Sequence, residues 1–301
     1  MGKTPNSKSF WRVFGPILAY LGIMMAAQMI VGFVLIFLNA ENIAELLMTL
    51  SSDATQAEID AIYMNVTLSI TEIAMKYYVE ITTVAALCTV PVTAILFRKD
   101  RKNEIVNNIP VNRKAPLSRY ILIPILGFAV CFGANCLIIM TNLAFVSESY
   151  QEASNLLYSA SLPVQILCIG IIVPMTEELL FRGLVFKRFR EITGFMKAAV
   201  GSTVFFMVIH SSLPQMIYTF LLGILLAYVY EKYGSFKAPV LLHITVNMVS
   251  IICTELRVLE ILYAIPVIMV AAIVICAFVG AIMFILIQKI DEKPIIETES
   301  V

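Results

Sequence analysis

Two adjacent carboxylates, one arginine and two histidines carry most of the chemistry this sequence offers. The carboxylates lie in Thr176-Glu177-Glu178-Leu179-Leu180-Phe181-Arg182-Gly183, after the apolar run Ile166–Val173 and Pro174. Glu178 and Arg182 stand at i, i+4, so one helical face can pair them. Glu177 sits about 100° further round the helix, lacks a local partner and can face a cavity. A carboxylate there suits a general base or a metal ligand. The plainer reading is a helix end with an interfacial salt bridge, since Lys187, Arg188 and Arg190 follow. The second group is Phe206-Met207-Val208-Ile209-His210 and the third is His243-Ile244-Thr245-Val246-Asn247. These hold the chain's 2 histidines. Histidine serves both proton transfer and metal ligation near neutral pH. Asn247 follows His243 by one helical turn, so both can face one cavity. For either histidine alone, a packing residue hydrogen-bonded between helices is the ordinary explanation.

The elements that must position these residues follow from composition. The chain has 301 residues, of which 60% are hydrophobic and 14% charged. A soluble domain carries about 25% charged residues, so the solvent here is mostly lipid. Spans in lipid must be helices or closed barrels, and apolar runs of about 20 residues without alternation specify helices. The expected fold is all-α, a polytopic membrane protein with about eight transmembrane helices forming a single membrane domain over residues 1–301. The spans lie near residues 13–38, 74–97, 120–145, 162–187, 197–213, 214–231, 237–256 and 258–288. The first is too long for a signal-peptide core and is read as a retained span. Residues 40–73 form an acidic linker outside the cytosol, with a short amphipathic helix at Ile43–Leu50. Glu72, Lys76 and Glu80 have the spacing of a helix leading into the second span. The 6 cysteines all fall in apolar runs and read as small core residues.

Basic residues set the orientation. On the eight-span reading, 19 of the 21 Lys and Arg fall on one side, leaving Lys76 and Arg257 on the other. The Lys/Arg-rich side is cytosolic, so both termini are expected in the cytosol. The formal net charge of +0 gives no case for nucleic acid as a partner. The partners expected are membrane lipids and a peptide or membrane-protein substrate, in a multi-pass protein of the cell membrane.

The three groups, in this order on three helices, resemble the CAAX-protease and bacteriocin-processing (CPBP, or Abi) family. The resembling pattern is EExxxR at Glu177, Glu178 and Arg182, FxxxH at Phe206 and His210, and HxxxN at His243 and Asn247, within residues 160–255. The resemblance implies an eight-helix membrane fold and an intramembrane endopeptidase. It implies catalytic roles for Glu177, His210 and His243, with Asn247 beside them as a polar group, and a supporting role for Glu178 with Arg182. Its bacterial members imply peptide maturation or self-immunity, and its eukaryotic ones the cleavage of prenylated C-terminal segments.

Two chemistries fit such a site. Glu177, His210 and His243 could ligate Zn2+, the other carboxylate taking a proton from the bound water. Alternatively, Glu177 with His210 activates water directly while His243 and Asn247 bind the oxyanion. Depth is the difficulty. From the cytosolic end, Glu177 lies ~15 Å in, His243 ~9 Å and His210 ~20 Å on straight helices. Either an uncharged turn at Ser211–Pro214 inside the bilayer or a fifth helix starting in the cytosol would level them, around a cavity open to the cytosol. Competing functions are a proton-coupled transporter and a non-catalytic immunity or binding protein on the same fold.

Overall fold

A computed structural model describes residues 7–49, 54–107, 112–210 and 212–291. Among them there is no strand, and the chain is an all-α polytopic membrane protein. The principal helices are α1 (Ser7–Leu38), α2 (Ala40–Met48), α3 (Gln56–Lys76), α4 (Tyr78–Val106), α5 (Leu122–Met140) and α6 (Glu148–Tyr158). They continue as α7 (Leu162–Ile192), α8 (Phe195–Val208), α9 (Leu213–Tyr233), α10 (Lys237–Glu255) and α11 (Pro266–Gln288). Short turns at Leu117–Ile121, Leu143–Val146 and Val258–Tyr263 join some of them.

Seven helices among the described residues are long and apolar enough to cross a membrane. The expected span missing from these seven is the fifth, near 197–213; it is α8, which is apolar but only 14 residues long. The last expected span divides at the turn before Pro266. The acidic linker folds as α2 and α3, with the expected amphipathic helix at Ala40–Met48; residues 50–53 lie outside the described ones. The Glu72–Lys76–Glu80 run does not stay on one helix, because α3 ends at Lys76 and α4 starts at Tyr78. Lys76 lies instead over the Tyr77 ring, 5.3 Å from its centroid.

The outside of the bundle is as apolar as its inside. On α1, Met25, Met29, Phe33 and Phe37 are exposed, while Val13, Ile17, Tyr20 and Ala27 face the core. On α11, Val267, Val274, Ile275 and Phe278 are exposed. Water would penalise so much contiguous apolar surface, whereas lipid does not.

The centre is α7. Six consecutive residues, Phe181–Phe186, are buried, so neighbours surround this helix on every side. It packs against α1, α4, α8, α9 and α10. Its winding is not uniform, for Gln165–Ile172 and Phe181–Phe186 are π-helical and bracket the α-helical turn that carries both glutamates. Pro174 accounts for the first of these, since its missing N–H and its ring disturb the preceding turn. One end of α7 is fixed by charge. The Nε of Arg188 donates to Asp100 of α4 at 2.7 Å, Arg12 of α1 pairs with Glu191 at 2.7 Å, Lys187 pairs with Glu104, and Arg190 pairs with Glu231 of α9 at 3.0 Å. Asp100, Glu104 and Arg188 are buried there, so each acid or base has its partner in place.

All 6 cysteines are free. Five are buried as expected, and Cys88 is exposed.

Candidate active site

The site forms where α7, α8, α9 and α10 meet. Glu178 and Arg182 are both fully buried, and the ion pair expected from their spacing forms at 2.8 Å. Arg182 is a fork with three further tasks on the neighbouring helices. Its Nη2 donates to the Gly223 carbonyl of α9 at 3.1 Å, and its guanidinium lies 4.5 Å from the Phe206 ring centroid of α8. The planar guanidinium allows this, presenting several donors at fixed angles and a face for the aromatic ring. Gly223 is required for the approach, because a Cβ there would run into the Thr203 side chain of α8.

The third task is electrostatic. Glu178 Oε1, which accepts from Arg182, also accepts from His243 Nδ1–H of α10 at 2.9 Å. A carboxylate can only accept here, so the imidazole carries its proton on Nδ1 and its orientation is set. The other ring nitrogen, Nε2, then lies 3.8 Å from Glu177 Oε2. His243 thus stands between the two glutamates, tied to one and facing the other. Glu177 is the more open of the pair, with 12% of its side chain exposed. Buried Tyr20 of α1 lies within electrostatic reach of Glu177.

His210 departs from expectation. The FxxxH motif places it on a helix, whereas α8 ends at Val208 and His210 sits in the break before α9. Local sequence explains the break, with Ser212 capping α9 through Gln215 N and Pro214 in the first turn. Ser211, part of the expected turn, lies outside the described residues. The Nδ1–H of His210 donates to the Phe206 carbonyl at 2.9 Å. The Phe206 ring meets both imidazoles edge-on, at 5.2 Å from His210 and 5.7 Å from His243. The short α8 therefore sets His210 against the same phenyl ring as His243. No hydrogen bond joins His210 directly to Glu177 or His243.

Asn247 turns away from the carboxylates. Its Nδ2 donates to the Ile169 carbonyl in the first π-helical segment of α7, at 2.9 Å. It thereby ties α10 to the wide turn that precedes Glu177. A zinc site would need Glu177, His210 and His243 gathered around one point. Both imidazoles do hold Nδ1 on an acceptor and keep Nε2 clear, as metal-bound histidines do. Yet among the described residues no three His, Cys, Asp or Glu side chains come together closely enough to hold a metal ion.

Sequence reading missed three participants. The Gly223 carbonyl carries no side-chain signal. Phe206 is legible as a motif position, but its packing under Arg182 and both histidines is not. Cys131 of α5, taken as a core filler, donates through sulfur to the Val246 carbonyl at 3.2 Å and lies 3.2 Å from Ser250 Oγ, joining α5 to the site helix α10.

An all-α membrane protein with a buried Glu-Glu-Arg-His cluster is the class that fold and site define. Residues 159–249 match the family model of type II CAAX prenyl endopeptidase Rce1-like proteins. This agrees with the CPBP resemblance read from the three motifs and covers every residue of those motifs. A 92-residue stretch is 27% identical to "Putative membrane peptidase YdiL" of Bacillus subtilis (strain 168), and covers 31% of this chain and 38% of that one. A 113-residue stretch is 30% identical to "UPF0177 protein YxdF" of Lactococcus lactis subsp. lactis (strain IL1403), covering 37% of this chain and 62% of the relative. The matches thus span between about two fifths and three fifths of these relatives' length. No solved structure matches the chain.

Proposed function

We propose that this chain is a membrane peptidase of the CAAX-protease type, with Glu177 as its general base. The observation that carries the reading is the placement of His243 between Glu178 at 2.9 Å and Glu177 at 3.8 Å. Arg182 offsets the charge of Glu178. One proton then remains to be shared between Glu177 and His243 if the four groups are to be neutral together, as a low-dielectric site favours. With that proton on His243, Glu177 is a free carboxylate beside an imidazolium.

In this scheme Glu177 takes a proton from water as the water attacks the scissile carbonyl. His210, with Nδ1–H committed to Phe206, offers Nε2 as an acceptor that orients the same water. The Nε2–H of His243 binds the oxyanion as it develops, and Glu178 with Arg182 holds the imidazolium charged and oriented. Glu177 then returns its proton to the leaving amine. Asn247 sets the turn that aims Glu177. No step is routed through zinc, because the three candidate ligands are not gathered around one point. The Lys/Arg distribution supports a site reached from the cytosol. The substrate class is a peptide or protein segment presented at the membrane.

The test is cleavage of a panel of membrane-presented peptides by the protein in lipid nanodiscs. Glu177→Gln, His243→Ala and His210→Ala each lose about 10²–10⁴-fold in kcat; thermal unfolding is unchanged in Glu177→Gln, while His243→Ala also gives up its inter-helix hydrogen bond to Glu178, worth about 0.6–1.7 kcal/mol. Metal analysis and chelation accompany it. Full cleavage by Glu177→Gln overturns the assignment, and loss of activity on chelation with return on zinc overturns the metal-free step.

A further inference from the structure

The antiparallel pair α5 and α11 carries two hollows that the catalytic cluster does not use. One lies where α5 begins and α11 ends, has a volume of about 270 Å³, and is lined by Arg113, Lys114, Arg119, Lys289 and Asp291 among others. Four cations face one carboxylate, and Arg113 lies 3.9 Å from Asp291, both groups being exposed. The other is an apolar groove of about 410 Å³ between the same two helices. Its floor is made of small residues, including Ala129, Gly133 and Gly280. Its rim, including Leu137, Ala277 and Ala281, is exposed on the outside of the bundle.

The basic hollow is held in shape by the backbone. Ala115 N donates to the Tyr233 carbonyl at 3.0 Å, Asn112 Nδ2 to the Glu231 carbonyl at 2.9 Å, and Tyr233 Oη to the Arg119 carbonyl at 2.9 Å. Lys232 Nζ donates to the Ile290 carbonyl at 3.3 Å, fixing the end of α11 to the same helix. Gly234 lets the segment come this close. It adopts φ +55°, and a Cβ on it would lie 2.5 Å from the Arg113 carbonyl oxygen. Both arms of the hollow are therefore fixed to the end of α9.

The spacing of the two hollows matches an amphiphile. Along α5 the groove begins at Leu126, seven residues or about 10 Å beyond Arg119, and along α11 it ends at Phe284, about 7 Å before Lys289. The headgroup layer of a bilayer is roughly 5–7 Å thick on each face. We propose that this end of α5 and α11 binds an anionic phospholipid, with its phosphate among Arg113, Lys114, Arg119 and Lys289 and one acyl chain in the Gly133–Gly280 groove. A soluble anion would leave the groove unexplained. A second copy docked through the groove, about an axis along the membrane normal, would bring eight like charges to one membrane face.

The test uses the full chain in mild detergent, titrated with phosphatidylglycerol or phosphatidylcholine and read by native mass spectrometry. Phosphatidylglycerol binds at least about tenfold more tightly. The triple variant Arg113→Gln, Arg119→Gln, Lys289→Gln loses roughly ten- to a hundredfold of that preference, since each juxtamembrane cation contributes a few-fold. It still folds, because Arg113, Arg119 and Lys289 are exposed and the Arg113–Asp291 pair that it removes lies between exposed groups. Gly280→Leu has room, as a Cβ there meets only Ala129 Cβ at 3.9 Å. It weakens both lipids while keeping the preference. Equal binding of the two lipids overturns the proposal. So does displacement of phosphatidylglycerol by millimolar inorganic phosphate, which would make the hollow a site for free anions. Self-association broken by Gly280→Leu without change in lipid binding assigns the groove to a second copy and overturns it as well.

Discussion

Arg182→Met is the perturbation that most sharply tests how the site is held together. A buried ion pair deprived of one partner usually costs about 3–5 kcal/mol. That figure assumes a pair that forms on folding. Glu178 and Arg182 are on one helix at i, i+4, and in a bilayer the unfolded state keeps its helices, so the pair survives the separation of the bundle. What unfolding breaks is the hydrogen bond from Arg182 to Gly223 and the stacking on Phe206. Intramembrane hydrogen bonds between helices average about 0.6 kcal/mol and reach about 1.7, and a desolvated cation–π contact adds about 1–2 kcal/mol. The expected loss is therefore about 2–4 kcal/mol, toward the lower end of the penalty for an orphaned charge. Function suffers more. Without Arg182 the Glu178 carboxyl loses the guanidinium that holds it in place and no longer anchors His243 Nδ1–H in its present orientation, so cleavage falls by at least about a hundredfold. Arg182→Lys keeps the charge but not the fork, and recovers stability only in part. The assay is reversible unfolding in bicelles or nanodiscs, beside peptide cleavage. A loss above about 5 kcal/mol would show that the pair forms only on folding. A loss below about 0.5 kcal/mol would show that the contacts to α8 and α9 are not made, and either outcome refutes the reasoning.

Three further outcomes are expected. Gly223→Ala forces α8 and α9 apart at Thr203, costs about 1–3 kcal/mol, and lowers activity by displacing the carbonyl that Arg182 uses, as read by thermal unfolding and cleavage. Asn247→Ala removes one inter-helix hydrogen bond and so costs only about 0.6–1.7 kcal/mol, yet cleavage falls more than tenfold because Glu177 is no longer aimed; a stability loss without a loss in kcat would contradict that. At the N-terminus of α3 a capping box joins Thr55 to Glu58, and the hydrogen bond from Thr55 N holds the Glu58 carboxyl below its ordinary value of 4.5. A depressed value means that this end of α3 has its full stability at neutral pH and frays as pH falls through the lowered value. Carbon-13 titration of Glu58 follows this, and Thr55→Ala, which removes the second bond from the Thr55 hydroxyl but keeps the N–H, moves the midpoint only part of the way up toward 4.5.

Much of this architecture is legible in the sequence because lipid imposes simple requirements. Runs such as 120–145 and 258–288 must be helices of a certain length, and α5 and α11 lie within them. The Glu178–Arg182 pair follows from spacing alone, because both partners are on one helix. What could not be read depends on partners distant in sequence or on changes of helical winding. The carbonyl of Gly223 is an acceptor that every residue possesses. His210 looks helical because its neighbours are apolar, and only the cap at Ser212 with Pro214 ends α8 early enough to release it. The placement of His243 against Glu178 needs two helices to meet at one height, which periodicity does not encode.

The two π-helical segments of α7 have a further consequence. A π turn is an α-helix carrying one extra residue in the turn, and each residue in a helix is worth about 100° of rotation. The extra residue is absorbed inside the turn, so the helix on either side of it keeps its facing. Deleting one residue between Gln165 and Ile172 would let an ordinary α-helix form with Glu177 and Glu178 still turned toward His243, whereas a deletion between Val173 and Thr176, where the winding is α-helical, would swing the two glutamates by about a quarter turn. Chains that differ by one residue within Gln165–Ile172 can therefore present the same carboxylate face, and a gap nearer the glutamates cannot be absorbed in that way.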